Sequence, residues 1–182
     1  MAQSKIMPSS QPNLPFLDVA VRLDADGWRR GLATAEAVAA RAATAAFGAA
    51  FGAGFDGVSP GSPVEISIQL SDDAQVRGLN RDWRDKNTAT NVLSFPALEE
   101  GTGPVGAEVL LGDVVVAFET TEAEAKEEGK SLADHLSHLV VHGTLHLMGF
   151  DHISDNEADI MEALETRILA ELGIADPYGE GR

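Results

Sequence analysis

The sequence contains no cysteine. Disulfide bridges and thiolate ligands are therefore excluded, and any transition metal must rest on histidine or carboxylate side chains. No stretch approaches the roughly 18 uninterrupted apolar residues that a membrane helix needs. The amino terminus, MAQSKIMPSSQPNLPF, has no apolar segment of the secretory kind. A cytoplasmic protein without a membrane partner is the expectation. Positive charge is scarce: 13 basic residues stand against 29 acidic ones, for a formal net charge of −16. That balance disfavours nonspecific attraction to nucleic acid, and DNA is not an expected partner. A phosphate-bearing ligand would need a local concentration of positive charge, a metal ion included. Internal repeats and a phosphate-binding glycine loop are also missing.

What is present suits a single domain, since 182 residues suffice to bury one core without splitting in two. Residues 1–15, with three prolines, adjacent serines and little apolar content, read as a disordered arm. Phe16 to Leu23 can form a strand, and Asp26 or Gly27 opens a long alanine-rich helix from Trp28 to about Phe47. Glycine and proline from Gly48 to Pro63 mark a loop. Val64 to Leu70 alternates apolar and polar, as a strand with one buried face does. Ser71, Asp72 and Asp73 then signal a helix start. In that helix Val76, Leu79 and Trp83 share one face, while Arg77, Arg81 and Arg84 fall within roughly 60° of each other on another. By spacing alone the arginine stripe is a solvated face, partly neutralised by Asp82 and Asp85.

Val92 to Phe95 makes a short strand ending at Pro96, with a loop over 97–106. Glu108 to Ala117 is nearly continuous in apolar residues and should be a central strand, Gly112-Asp113 marking a bulge or a close backbone approach. Asp113 in so apolar a strand is either turned to solvent or paired, beside a metal histidine being the sharper alternative. Glu119 to Gly129 reads as a solvated acidic helix. Ser131 with Asp134 opens the next helix, which is apolar around most of its circumference. Ser154 with Glu157 opens the last helix, which ends at Gly173, and 176–182 reads as a loose tail. The fold class is α+β: a small mixed four-stranded sheet packed with about five helices, in a domain over 16–175.

Three of the five histidines fall in Val141-His142-Gly143-Thr144-Leu145-His146-Leu147-Met148-Gly149-Phe150-Asp151-His152. His142 and His146, four apart, leave one face of a helix about a turn from each other and can converge on one ion. The third ligand has two candidates, His138 and His152. A stripe 138, 142, 146 spans about 12 Å of helix axis, whereas zinc wants its nitrogens at about 2.0 to 2.1 Å, so one rigid stripe delivers three ligands poorly. Gly149 offers a left-handed cap, Phe150 can pack back on Leu145, and His152 can then fold towards the pair. Three imidazoles leave a fourth position open, the pattern of a catalytic rather than a closed structural zinc site. His135 and His138 read as ordinary core or surface residues. Asp151 is placed to act as a base, although a turn aspartate is the plainer account.

The block HGTLHLMGFDH resembles the signature of the YbeY family of single-strand-specific bacterial endoribonucleases, which act in ribosomal RNA maturation. The spacing HxxxHxxGxxH is also that of metzincin proteases, but Gly143 stands where those proteases carry their general-base glutamate. A second block, from Leu79-Asn80 through Trp83-Arg84 to Thr90-Asn91-Val92-Leu93-Ser94-Phe95-Pro96, is similar to the family's as well, with Ala89 where proline is common. So is Leu111-Gly112-Asp113-Val114-Val115-Val116. The likeness covers roughly residues 64 to 173. It implies a zinc-dependent endoribonuclease that hydrolyses single-stranded RNA, processes the 3′ end of small-subunit (16S) rRNA and serves ribosome quality control. The implied partners are single-stranded RNA, ribosomal RNA and the small ribosomal subunit. Carried over residue by residue, the likeness gives one Zn2+ ion on His142, His146 and His152, and a catalytic role to Arg84. An always-charged forked donor there can hold a phosphate. The rival readings are a zinc peptidase and a ribosome-associated protein with a structural metal.

Overall fold

A computed structural model describes residues 15–55, 57–59, 61–98 and 106–179. The expected arm therefore lies outside the described residues, apart from Pro15, as does most of the loop over 97–106. In chain order the elements are β1 (Phe16–Leu23), α1 (Asp26–Gly31), α2 (Ala35–Gly52), β2 (Pro63–Ser71), α3 (Asp73–Arg84), β3 (Val92–Pro96), β4 (Val109–Ala117), α4 (Phe118–Glu127), α5 (Leu132–Leu147) and α6 (Asp155–Glu171). The four strands form one sheet in the order β1-β2-β4-β3. β1, β2 and β4 run parallel, and β3 pairs antiparallel with β4 as an edge strand. The sheet is thus mixed and four-stranded, as the sequence suggests. Among the described residues no helix is long and apolar enough to cross a membrane.

The helix expected from Trp28 to about Phe47 is two helices, which brings the number among the described residues to six. Alanine propensity favours continuing through Leu32-Ala33-Thr34, and tertiary packing overrides it. Gly27 and Gly31 lie so close to the ring of Phe118 that an added Cβ would come within 2.4 and 2.8 Å of it. The indole of Trp28 is fully buried and donates to the Ser71 carbonyl at 2.9 Å. This docking fixes α1, and Leu32, in an extended conformation (φ −149°, ψ 93°), redirects the chain into α2. α2 then runs on to Gly52, into the stretch read as a loop.

β2 buries Val64, Ile66, Ile68 and Leu70 in alternation, the side-chain period of a strand. Between β2 and β4 the register slips, Glu65 facing Leu110 and Ile66 facing Gly112. The slip leaves Leu111 as the extra residue of a bulge. At Gly112 (φ +135°) a Cβ would stand 2.2 Å from the Phe95 carbonyl oxygen, so β3 approaches more closely than any side chain allows. The anticipated bulge and close approach both occur there.

α2 and α5 pack on one face of the sheet, and α6 lies behind them. The small residues Ala39, Ala42, Ala43 and Ala46 of α2 are fully buried in that core. α5 contributes Leu136, Leu139, Val140, Val141, Leu145 and Leu147 to it. At about 1.5–3 kcal/mol for each buried side chain of that size, packing holds α5 far more firmly than its intrinsic propensity. The other face carries a smaller cluster of Val76, Leu93, Val115 and Ala117 under α3. Asp113 points to this second face and is exposed.

Candidate active site

α5 starts at Ser131, whose hydroxyl accepts from the Asp134 amide at 3.0 Å. It is buried along most of its length, so His142 and His146 are set by the core. Their Nε2 atoms lie 3.0 Å apart. The helix closes in a left-handed turn: Gly149 has φ +81°, its amide donates to the His146 carbonyl at 3.1 Å, and the Phe150 amide donates to the Leu145 carbonyl at 3.1 Å. These two bonds make a Schellman cap, and Phe150 packs against the core that contains Leu145. The bend brings the His152 ring to 5.4 Å from that of His142 and 5.0 Å from that of His146, centroid to centroid. One ring nitrogen of each of His142, His146 and His152 lies within 4.8 Å of the others.

The outer nitrogens of the two helical rings are occupied. His142 Nδ1 is 2.7 Å from Glu165 Oε1, and His146 Nδ1 is 3.0 Å from the Phe150 carbonyl oxygen. Both partners accept only, so each Nδ1 donates, and each Nε2 keeps its lone pair for the shared point. Two nitrogens at about 2.0 to 2.1 Å from a tetrahedral ion stand about 3.3 Å apart. The 3.0 Å observed is close to that, and the donor set fits a divalent cation. Burial, followed by the charges of His142 and His152, lowers the pKa of His146 and favours the neutral, ligating form.

Glu165 is the residue that sequence reasoning missed. It sits on the inner face of α6 beside Leu164 and Ile168, with 1% of its surface exposed. Burial alone would raise its pKa, but the hydrogen bonds from His142 and Tyr178, with the His138 ring close by, outweigh that and hold it at about 2. The Tyr178 hydroxyl donates to Glu165 Oε2, and burial together with that bond raises the phenol's own pKa. Tyr178 belongs to the stretch read as a loose tail, of which 176–179 is described. Asp176 also accepts there, from Thr166 Oγ1 at 3.1 Å. A signal for Glu165 existed, since a carboxylate inside an apolar helical stripe is costly unless it is bonded.

His138, the other candidate third ligand, lies beside Glu165, its Nε2 3.6 Å from Oε2, and outside the group of three. His135 is buried with its Nε2 2.8 Å from Glu124. Asp113, on the opposite face of the sheet, does not stand behind any of the three histidines. Asp151 Oδ1 accepts from the His152 amide at 2.8 Å, the bond of a turn aspartate.

The three histidines and Arg84 line one cavity of about 510 Å³, together with Asn91 and Asp151. Arg84 is the last residue of α3. Asp85 caps that helix with φ 56°, and Asn80 Nδ2 pins the following loop by donating to the Thr88 carbonyl at 2.8 Å. Arg84 Nη2 donates to the Ser94 carbonyl at 3.1 Å, which aims the guanidinium along the cavity wall. The other arginines of the stripe are engaged elsewhere: Arg77 Nε donates to Asn87 Oδ1 at 2.9 Å, and Arg81 Nε pairs with Asp82 at 2.7 Å. Among the described residues lining the cavity, Arg84 is the one lysine or arginine. At Gly143 a Cβ would meet Val114 Cγ1 at 2.8 Å and Ser94 Oγ at 3.1 Å. A side chain at the position where metzincins carry glutamate would have to displace Val114.

Residues 36–173 match the family model described as Endoribonuclease YbeY. The chain belongs to the YbeY family. Curated YbeY endoribonucleases match it over most of both lengths. That of Paramagnetospirillum magneticum is 54% identical over 166 residues, covering 90% of this chain and 97% of its own. That of Azorhizobium caulinodans is 54% identical over 162 residues, covering 89% and 96%. That of Agrobacterium fabrum is 48% identical over 166 residues, covering 89% and 95%. The resemblance placed at 64–173 by sequence blocks therefore extends further towards the amino terminus. The YbeY match includes α2, whose buried alanines carry no chemical signature of their own.

Proposed function

We propose that residues 16–175 act as one hydrolase domain, a zinc-dependent endoribonuclease of single-stranded RNA, with one Zn2+ ion held by His142, His146 and His152. The observation that carries the reading is the convergence of three ring nitrogens within 4.8 Å in the cavity that Arg84 lines. Bound there, the ion supplies either a water of lowered pKa or polarisation of a phosphoryl oxygen. Glu165 and the Phe150 carbonyl fix the tautomers and orientations of the two helical rings. Arg84, tied to the Ser94 carbonyl by one donor, presents its remaining N–H groups to the phosphate and offsets the charge that develops on it. The arginine and the ion together give the local positive charge that an acidic protein needs in order to hold a polyanion. The biological substrate is ribosomal RNA, at the 3′ end of the small-subunit species. The small ribosomal subunit is the partner and the cytoplasm the compartment.

The deciding experiment offers the zinc-loaded protein a single-stranded RNA, the corresponding duplex and an unstructured peptide. Cleavage of the single strand alone is expected. It should be lost on chelation while the far-ultraviolet dichroism of the fold persists; unfolding on chelation would instead assign the metal a structural role. Peptide cleavage would return the reading to the peptidase, against the steric bar at Gly143. A further expected outcome concerns Glu165: Glu165→Gln weakens zinc binding by about 10- to 100-fold, as the loss of such an outer partner does elsewhere, measured by competition with a chromogenic chelator. An unchanged affinity would remove Glu165 from the metal's support.

A further inference from the structure

A second cavity of about 520 Å³ lies on the other face of the sheet, between the end of α3 and β3–β4. Its floor is apolar: Leu79, Trp83, Phe95 and Val115. Trp83 is 73% exposed, an unusual cost for the largest apolar side chain. It is nevertheless held in place, its ring edge-to-face with Phe95 at 6.2 Å and 67°. Trp83 precedes Arg84 in sequence, so the last turn of α3 presents an aromatic plane to one cavity and a guanidinium to the other. The two cavities also share a wall. Ser94 and Pro96 of the edge strand β3 line both, and the Ser94 carbonyl is the group that Arg84 grips.

We propose that this second cavity is a base-binding subsite: a nucleobase flanking the phosphate at Arg84 passes over the ridge of β3 and stacks on Trp83. The inference rests on the reading of the protein as a nuclease of single-stranded RNA. The chemistry of the lining selects a base rather than a phosphate. Among the described lining residues there is no lysine or arginine, while Gln69 and Asp113 supply an amide and a carboxylate. A carboxylate repels phosphate, but it accepts from the exocyclic amines and ring N–H groups of bases. A stacking platform beside a single phosphate anchor is also how proteins hold single strands without relying on net positive charge. A duplex, whose bases are already stacked on one another, cannot offer a base to this groove, so the subsite would itself discriminate against duplex.

The protein reports on the proposal through its own fluorescence, because its two tryptophans differ completely in exposure: Trp28 is at 0% and Trp83 at 73%. Titration of the full chain with a short 2′-O-methyl RNA single strand is expected to quench the exposed component to saturation. Trp83→Leu should weaken binding of that strand about tenfold and raise KM for cleavable RNA to a similar degree, with the loss in KM rather than kcat; Trp83→Phe, which keeps a stacking face, should recover most of it. Saturable binding without quenching, or a Trp83→Leu protein whose KM for RNA equals that of the wild type, overturns the subsite and leaves the groove to a protein partner. Quenching by the 2′-O-methyl strand, together with no cleavage of the unmodified strand of the same sequence by the zinc-loaded protein, would leave the subsite standing and sink the nuclease reading instead. The two failures are thus separable.

Discussion

His146→Ala is expected to lose its zinc on dialysis and to cleave single-stranded RNA on the order of 10³-fold more slowly than the wild type. The size follows from what the ion supplies: several kcal/mol of transition-state stabilisation, at about 1.4 kcal/mol for each factor of ten in rate. His146 is the ligand to remove because it is the centre of the group, 3.0 Å from His142 through Nε2 and next to His152. The substitution is gentle to the fold. Alanine has the highest helix propensity, and His146 sits at the cavity wall, half-buried, in the last turn of α5. The lost Nδ1 bond goes to the Phe150 carbonyl, and a retained thermal transition would confirm that only this bond and the ligand are missing. Elemental analysis beside single-turnover cleavage is the measurement. An alanine variant that still cleaves RNA at the wild-type rate would remove the metal from the chemistry.

Arg84→Lys is expected to keep stoichiometric zinc and to lose about 10²-fold in kcat/KM, the loss typical of one well-placed donor at a developing negative charge. Lysine preserves the charge and removes the fork. The guanidinium reaches the Ser94 carbonyl at 3.1 Å with one nitrogen and keeps further N–H groups in a fixed plane, in the cavity it lines with the histidines. An ammonium at the same place would have to leave either the carbonyl or the phosphate. Stability should change little, because Arg84 is exposed at the end of α3. Metal content measured on the same preparation separates this loss from that of the histidine variant. A lysine enzyme as fast as the parent would show that position 84 needs only a positive charge.

The convergence of the three histidines was legible in the sequence because every device that builds it is local. The spacing of His142 and His146 is helical, Gly149 is the residue a left-handed cap prefers, and His152 follows within one turn. β2 was equally plain through its alternation. The support of the site was not, since Glu165 meets His142 across 23 positions, and periodicity says only that residue 165 faces inwards, never what awaits it there. The break between α1 and α2 escaped for a related reason. It is imposed by Phe118 lying against Gly27 and Gly31, and no local propensity reports a ring that arrives from another helix. The arginine stripe was grouped correctly on α3 but not as a unit of function. Asn87 and Asp82 capture two of its three members at short range, and only Arg84 is turned to the cavity. The order of strands likewise depends on β4 inserting between β2 and β3, a choice made by crossovers rather than by any single segment.

Two of the three histidine rings are mounted on a helix locked into the core, while the third rides on an exposed bend made possible by one glycine. For the proposed zinc site this division of labour gives an expected outcome: substitution of the exposed His152 should speed metal release, measured by transfer to a chromogenic chelator, while leaving the thermal transition of the fold close to that of the wild type.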